Sequence, residues 1–426
     1  MSTFPKGAEL WLTTFLNFSY NTYTIPIRLK LDAHRNKYGL KTSVSRKIIC
    51  QIRVFFIAAR LLINFLFHRT IFFPTDKGPL GVLYAGFRLS HAILALYYLA
   101  SMTSSSTHDG LVQLVTLIKD DKTGFLLTKK KRLCVIVVVV FFSVVNIIIP
   151  MCIRTQSNFR FGIKKQLQFI WYSFFELNDK KANQLMYSAL ADYSHEDFPW
   201  WKGAVSFLVV LSEVDQEAVI AGSSLVLFVM MAITVESMCS HFARSICDVQ
   251  KFYWVSNDEI TMKFWKIRRI FTIFSFSFGL VLLMNVMFNG IRTCVTIIWV
   301  FRSPKPSLTN ISMLGNIAAF IYFLCVAAKA SNKLLKVSRF LNTMDFRHQR
   351  KNGSCKSLGK LIAVHEINSG SVGLCSSGFF IVTYGFIAGM MVTLMSNSAI
   401  VLQYYELMVP SNVPVNSTTK ETGGGT

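Results

Sequence analysis

Apolar residues run through this chain in long unbroken stretches separated by short basic ones. Seven stretches reach membrane-spanning length: Ile48–His68, Pro79–Met102, Leu133–Ile153, Ala218–Met238, Ile270–Val300, Ile311–Ala330 and Phe379–Leu407. About 20 largely apolar residues cross the hydrocarbon core as a helix, and in lipid the backbone must satisfy its own polar groups. The expected fold class is therefore all-α, a polytopic membrane protein with seven transmembrane helices. A further run, Trp200–Leu211, is about half a span and ends in Glu213, Asp215 and Glu217. It reads as a lead into the fourth helix and not as a crossing.

The seventh stretch has an internal pattern. Thr393, Ser396, Asn397, Ile400, Gln403 and Tyr404 share one helical face, while Met391, Leu394, Met395, Ala399 and Leu402 cover much of the rest. A row of amides and hydroxyls is costly in hydrocarbon, so the stripe faces water or another helix. A pore lining and a packing seam both fit that spacing.

Charge sets the orientation. With the N-terminus inside, the inner segments carry 28 Lys and Arg and the outer segments 12, the asymmetry expected of cytosolic loops. Seven spans then put the C-terminus outside. Asn416 and Asn310 begin glycosylation sequons on the outer side; Asn17 and Asn352 begin sequons that this orientation places inside. The N-terminus lacks the pattern of a cleaved signal peptide, and residues 1–47 read as an amphipathic lead-in against the cytosolic face. The net charge of +23 does not point to nucleic acid. Its basic residues flank spans, as in Lys129-Lys130-Lys131-Arg132, where anchoring and anionic lipid account for them.

No metal or cofactor is expected, because the nine cysteines show no ligand spacing and no HExxH occurs. Cys152 and Cys294, toward the outer ends of the third and fifth spans, read as two buried free thiols, with a disulfide as the alternative. Catalysis is not expected either. His195-Glu196-Asp197 is the one tight titratable cluster and reads as a solvated turn, and there is no Gly-rich phosphate loop and no G-x-S-x-G.

Several spans carry polar groups: Arg53 and Arg60 on the first, Arg88 and His91 on the second, Asn285, Asn289 and Arg292 on the fifth. Such groups join helices by hydrogen bonds of about 1 kcal/mol each. Those in the outer half could instead line a pocket for a small polar or aromatic ligand.

From Gly378 the last stretch reads G-F-F-I-V-T-Y-G-F-I-A-G-M-M-V-T-L-M-S-N-S-A-I-V-L-Q-Y. It resembles the C-terminal signature of insect and other arthropod gustatory receptors: a Gly-Phe-aromatic start, a long apolar run, then Thr-Tyr, five mostly apolar residues and Gln-Phe. Gly378, Phe379 and Phe380 match the start, and Ile400-Val401-Leu402 and Gln403 match the close. Ser396-Asn397 replaces Thr-Tyr, Tyr404 replaces the final Phe, and Thr383 stands at an often acidic position. The chain therefore looks like a divergent member. Elsewhere the likeness is one of layout.

The resemblance implies a ligand-gated cation channel opened by a small extracellular tastant. It implies a homo- or heterotetramer in the plasma membrane, on a sensory neuron dendrite, with the last helix of each subunit lining the pore. Residues 48–330 would hold six helices and the pocket, 331–378 a cytosolic anchor segment, 379–407 the pore helix and 408–426 an extracellular tail. Carried over by position, Ile400, Gln403 and Tyr404 form the narrow outer gate. Gly385-Phe386-Ile387-Ala388-Gly389 has the small-xxx-small spacing of close helix packing. Pocket candidates by depth and chemistry are Tyr84, Arg88, Glu217, Asn289, Arg292, Trp299, Asn316 and Tyr322. The alternatives are an odorant-receptor-like subunit needing a channel co-subunit, and a G-protein-coupled receptor. The latter predicts an acidic-Arg-aromatic triplet after the third span, where Arg154-Thr155-Gln156 stands, and Asn-Pro-x-x-Tyr in a seventh span that has no Pro.

Overall fold

Helices stand at every position where the apolar runs place them. The computed structural model describes residues 26–32, 37–67, 78–119, 136–138, 140–153, 163–174, 198–247, 257–302, 308–348, 358–369 and 372–408, with five positions before residue 26. The order is α1 (Val44–Phe67), α2 (Gly78–Thr103), α3 (Ser105–Lys119), α4 (Ile136–Ile153), α5 (Ile163–Phe174), α6 (Trp200–Val214), α7 (Ala221–Cys247), α8 (Asn257–Arg302), α9 (Leu308–His348), α10 (Leu358–Asn368) and α11 (Tyr384–Met408).

Among the described residues, α4, α7, α8, α9 and α11 are long and apolar enough to cross a membrane. Helices α1 and α2, of 24 and 26 residues, coincide with the first two expected spans. Two helices exceed any crossing: α8 has 46 residues and α9 has 41, and 46 residues at 1.5 Å each extend ~69 Å. The extra turns carry Lys263, Lys266, Arg268 and Arg269 on α8, and Lys333, Lys336 and Arg339 on α9.

The short run at Trp200 is continuous with the fourth helix, as expected. Helix α6 starts after Pro199, which closes off earlier helical pairing. It then passes through a π-helical stretch, Asp215–Ile220, straight into α7. A second π-helical stretch, Val144–Ile148, interrupts α4, and the two stretches touch.

Helix α7 forms the centre of the molecule. Every residue from Ala221 to Val235 is buried, against α9 above all and against α8, α2 and the π-helical stretch of α4. Phe228 ties three helices together, its ring 6.1 Å from Phe274 on α8 and 5.8 Å from Phe323 on α9. Helix α2 packs along α8, where His91 stacks on Phe288 at 4.6 Å. By contrast, α1 turns Ile48, Ile52, Phe55, Phe56 and Leu62 outward, an apolar face suited to lipid.

Among the described residues, one two-stranded sheet departs from the helical pattern. Ile27–Asp32 and Lys37–Thr42 pair as an antiparallel hairpin, with Leu29 opposite Leu40 and Leu31 opposite Tyr38. The alternation of Ile27, Leu29 and Leu31 with Arg28, Lys30 and Asp32 has the period of a strand, and the hairpin rests on α3. The lead-in is thus partly β, where an amphipathic lead-in was expected.

Candidate functional site

Helix α11 starts at Tyr384 and not at Phe379, because residues 374–382 fold into a hairpin of their own. Cys375 bridges Ile381. The amide of Val382 donates to Leu374 O at 3.0 Å, that of Ser376 to Phe380 O at 2.9 Å, and that of Phe379 to Ser376 O at 2.8 Å. Ser377 and Gly378 occupy the left-handed region at φ 47° and 88°, the conformation of a tight hairpin turn and one that glycine adopts freely. The expected Gly-Phe-Phe start is therefore a turn. Thr383 then caps the helix, its Oγ1 accepting from Phe386 N at 3.1 Å.

Along α11 the polar stripe points away from the rest of the described chain. Thr393, Ser396, Asn397, Ile400 and Gln403 are exposed, while Leu394 and Ser398 are 9% and 2% exposed. Val392 and Met395, at 67% and 57%, are open as well. Only 11% of the apolar stretch of α11 is buried, against 89% for α7, so the C-terminal half of α11 touches its own chain along a narrow strip. Tyr404 lies in the helix, with its side chain outside the described residues. Among the described residues, nothing lies within 4 Å of a Cβ at Gly389, and only Thr383 Oγ1 lies near one at Gly385, so the G-xxx-G face meets no described neighbour closely.

The pocket candidates divide. The side chains of Tyr84, Arg88, Glu217 and Trp299 lie outside the described residues, as do those of the sequon residues Asn310 and Asn416 and the whole of His195-Glu196-Asp197. Asn289 and Asn316 are buried and donate to carbonyls one turn back on their own helices, Asn285 O and Ser312 O, each at 2.8 Å. Tyr322 meets Phe142 at 5.4 Å, and the Arg292 guanidinium lies 5.9 Å from the Phe288 ring centre.

Residues that sequence reasoning did not nominate, Ser224, Gly222, Asn146 and Ser312 among them, join Asn289 and Asn316 into one polar layer. Asn285 donates to Ser224 Oγ of α7 at 2.9 Å and accepts from Asn289 Nδ2 at 2.9 Å. Two residues before Ser224, Gly222 allows the backbone of α4 to approach so closely that a Cβ there would collide with the Asn146 carbonyl. Asn146 is 1% exposed and donates to Phe142 O at 2.8 Å, and its neighbour Val145 accepts from Ser312 Oγ of α9 at 3.4 Å. The layer thus runs from α8 through α7 and α4 to α9. Beside it, Arg53 of α1 meets Asp215 at 3.0 Å, with both side chains mostly covered. The i, i+4 repeat of Asn285 and Asn289 was the visible signal; a lone Ser or Asn in an apolar run gives none.

Cys152 and Cys294 are both free thiols, Cys152 exposed and Cys294 buried with its Sγ 3.6 Å from Leu394 O. Burial of Cys152 was expected and is not found. Among the described residues no group of His, Cys, Asp and Glu could hold a metal ion.

No family model matches the chain, and no curated protein matches it. Solved structures do. One is the insect olfactory receptor OR5 from Machilis hrabei in complex with eugenol, at a TM-score of 0.53 and 12% identity, covering 93% of this chain and 97% of that one. Another is a second structure of the insect olfactory receptor OR5 from Machilis hrabei, at 0.52 and 13%, covering 92% and 97%. With nearly the whole length of both chains superposed, the protein has the fold of an insect olfactory receptor.

Proposed function

We propose that the chain is a subunit of a gustatory-type chemoreceptor, a non-selective cation channel in the plasma membrane gated by a small extracellular molecule. The observation that carries this reading is the outward-facing stripe of α11. Its amides and hydroxyls are exposed on the single chain, and no described part of that chain covers them. In a membrane they need water or a partner. Four copies set around one axis supply both, with Ile400, Gln403 and Tyr404 forming the constriction. Four apolar side chains close such a pore by dewetting, and an adjacent amide solvates a partly dehydrated cation when it widens.

The ligand site in this reading lies along the polar layer, on the outward side of Asn285, with Asn289, Arg292, Asn316 and Tyr322 on its walls and Tyr84, Arg88, Glu217 and Trp299 nearby. The orientation is the one read from charge: N-terminus inside, Asn416 and Asn310 outside. That the fold neighbours are olfactory receptors supports a second reading, an odorant-type subunit that conducts only beside a channel co-subunit. Whole-cell current from cells expressing the chain alone separates the two. A cation current evoked by one of a panel of sugars, bitter compounds and amines supports the first reading. Silence at verified surface delivery, relieved by a co-expressed channel subunit, supports the second.

A further inference from the structure

We propose that Trp171 and Trp201 form the walls of a binding site for a small organic ammonium ion, a site that Lys202 of the same chain fills in this structure. The two indoles meet edge to face, their centres 5.1 Å apart and their planes at 89°. They enclose a corner, and Lys202 Nζ lies in it, 4.9 Å from the centre of the Trp171 ring and 5.8 Å from that of Trp201. Both distances fall within the ~6 Å reach of a cation–π contact, for which indole is the best partner. Trp171 and its neighbour Tyr172 are buried, and Phe198 and Val205 pack against them in a small cluster separate from the main core. Local structure builds the corner: Trp171 stands near the end of α5, Trp201 and Lys202 follow Pro199 in the first turn of α6, and α5 packs chiefly on α6.

Exposure and the identity of the occupant mark a ligand site and not a staple. Trp201 is 47% exposed and the adjacent Trp200 84%, so one wall of the corner stands open where a staple would close it. The occupant is a lysine, whose compact ammonium is strongly hydrated and rides on a flexible stem; arginine is the residue that stacks firmly on aromatic faces. An ammonium capped with methyl groups brings the same charge and adds apolar contact with both rings, the basis on which aromatic cages recognise quaternary ions. A group tethered by a short flexible linker acts at an effective concentration in the millimolar range, so a free ammonium displaces Lys202 at roughly millimolar levels. The site is distinct from the polar layer. Lys202 precedes Ser224 by 22 residues on one continuous helical run, ~30 Å along the axis, and it faces outside in the orientation read from charge. Nothing in it depends on α11 lining a pore. Such an ion comes from a soluble amine or from the choline headgroup of a lipid.

Choline titration of the full chain in dodecyl maltoside micelles, which carry neither charge nor ammonium, tests this through tryptophan fluorescence at matched ionic strength. The unsubstituted chain is expected to show a saturable change, and Lys202→Met to reach half-saturation at a choline concentration at least tenfold lower. The neutral carbon isostere of choline, dimethylbutanol, is expected to give no saturable change, and Trp171→Leu added to K202M to abolish the response to choline. Equal half-saturation with and without K202M, no saturable response in K202M, or a response that the neutral isostere reproduces overturns the proposal. Lys202→Met keeps both indoles and an apolar stem, so it decides the matter even where the Trp171→Leu protein fails to fold. The source of the ion follows from repeating the K202M titration in phosphatidylcholine nanodiscs. Half-saturation at least fivefold higher than in micelles assigns the site to the lipid headgroup, which competes there; an equal value assigns it to a soluble amine. No step needs a current, so failure of the channel reading leaves this result standing.

Discussion

Replacing Asn285 by Leu tests whether the polar layer holds the bundle together. Asn285 is fully buried and makes two side-chain bonds, donating to Ser224 Oγ at 2.9 Å and accepting from Asn289 Nδ2 at 2.9 Å. Leu has the same branching and is the larger side chain, so no cavity opens. Neither partner is stranded: Ser224 Oγ still donates to Ala221 O, and Asn289 Nδ2 keeps Asn285 O, each at 2.8 Å. The cost of leaving a buried group wholly unsatisfied, about 1–3 kcal/mol, is therefore mostly avoided. What remains is one interhelical bond, for which membrane-protein cycles average about 0.6 kcal/mol with a maximum near 1.7. Asn285→Leu should thus cost about 1 kcal/mol, and Ser224→Ala a similar amount. The double variant should recover a coupling energy of about 0.6–1.7 kcal/mol. Reversible SDS titration in mixed micelles reads all three. Additive effects, with zero coupling, would refute the bond between α7 and α8. A loss above about 4 kcal/mol for Asn285→Leu would refute the claim that the partners stay satisfied.

Other substitutions probe other parts of the structure. Gly222→Val should abolish folded protein, because the added side chain meets the Asn146 carbonyl and Ile147 on a backbone that cannot retreat; surface yield and monodispersity in size-exclusion chromatography report it. Gly378→Ala forces a Cβ into the left-handed region at φ 88° and should cost about 1–2 kcal/mol, whereas Ser377→Asn should be neutral or stabilising, both read as a thermal midpoint. Asp215→Ala leaves the Arg53 charge mostly covered and without this partner. Its cost should fall between the values for exposed and buried pairs, about 1–3 kcal/mol, and the exchanged pair Arg53→Asp with Asp215→Arg should restore part of it.

Length and apolarity made the helices legible, and each apolar run is matched by a helix, with α7, α8 and α9 each running well past its run at one end. Where the ends differ, local chemistry decided. Phe379 to Val382 look as apolar as the helix that follows, yet Ser377-Gly378 turns the chain and Thr383 offers a cap, so the helix waits until Tyr384. The N-terminal hairpin was visible as alternation between Ile27 and Asp32 but was outweighed by the helical character of everything after it. The shared face of Thr393, Ser396, Asn397, Ile400 and Gln403 on α11 was legible, because polar groups at helical spacing in an apolar run are rare enough to mark a face. The polar layer was legible only at Asn285 and Asn289, where two amides repeat. Gly222, Ser224 and Asn146 matter because they meet across helices, and a single small or polar residue carries no sign in sequence of what it will touch.

The central claim is that one face of α11 lines a water-filled cation path, and substituted-cysteine block of ligand-evoked current tests it most directly. Cysteines placed singly at Thr393, Ser396, Ile400 and Gln403 should each render the current sensitive to a charged methanethiosulfonate reagent. Cysteines at Leu394 and Ser398, on the buried strip, should not, and the unsubstituted channel should be insensitive. Sensitivity at Leu394 and Ser398 with none at the four stripe positions would contradict the account.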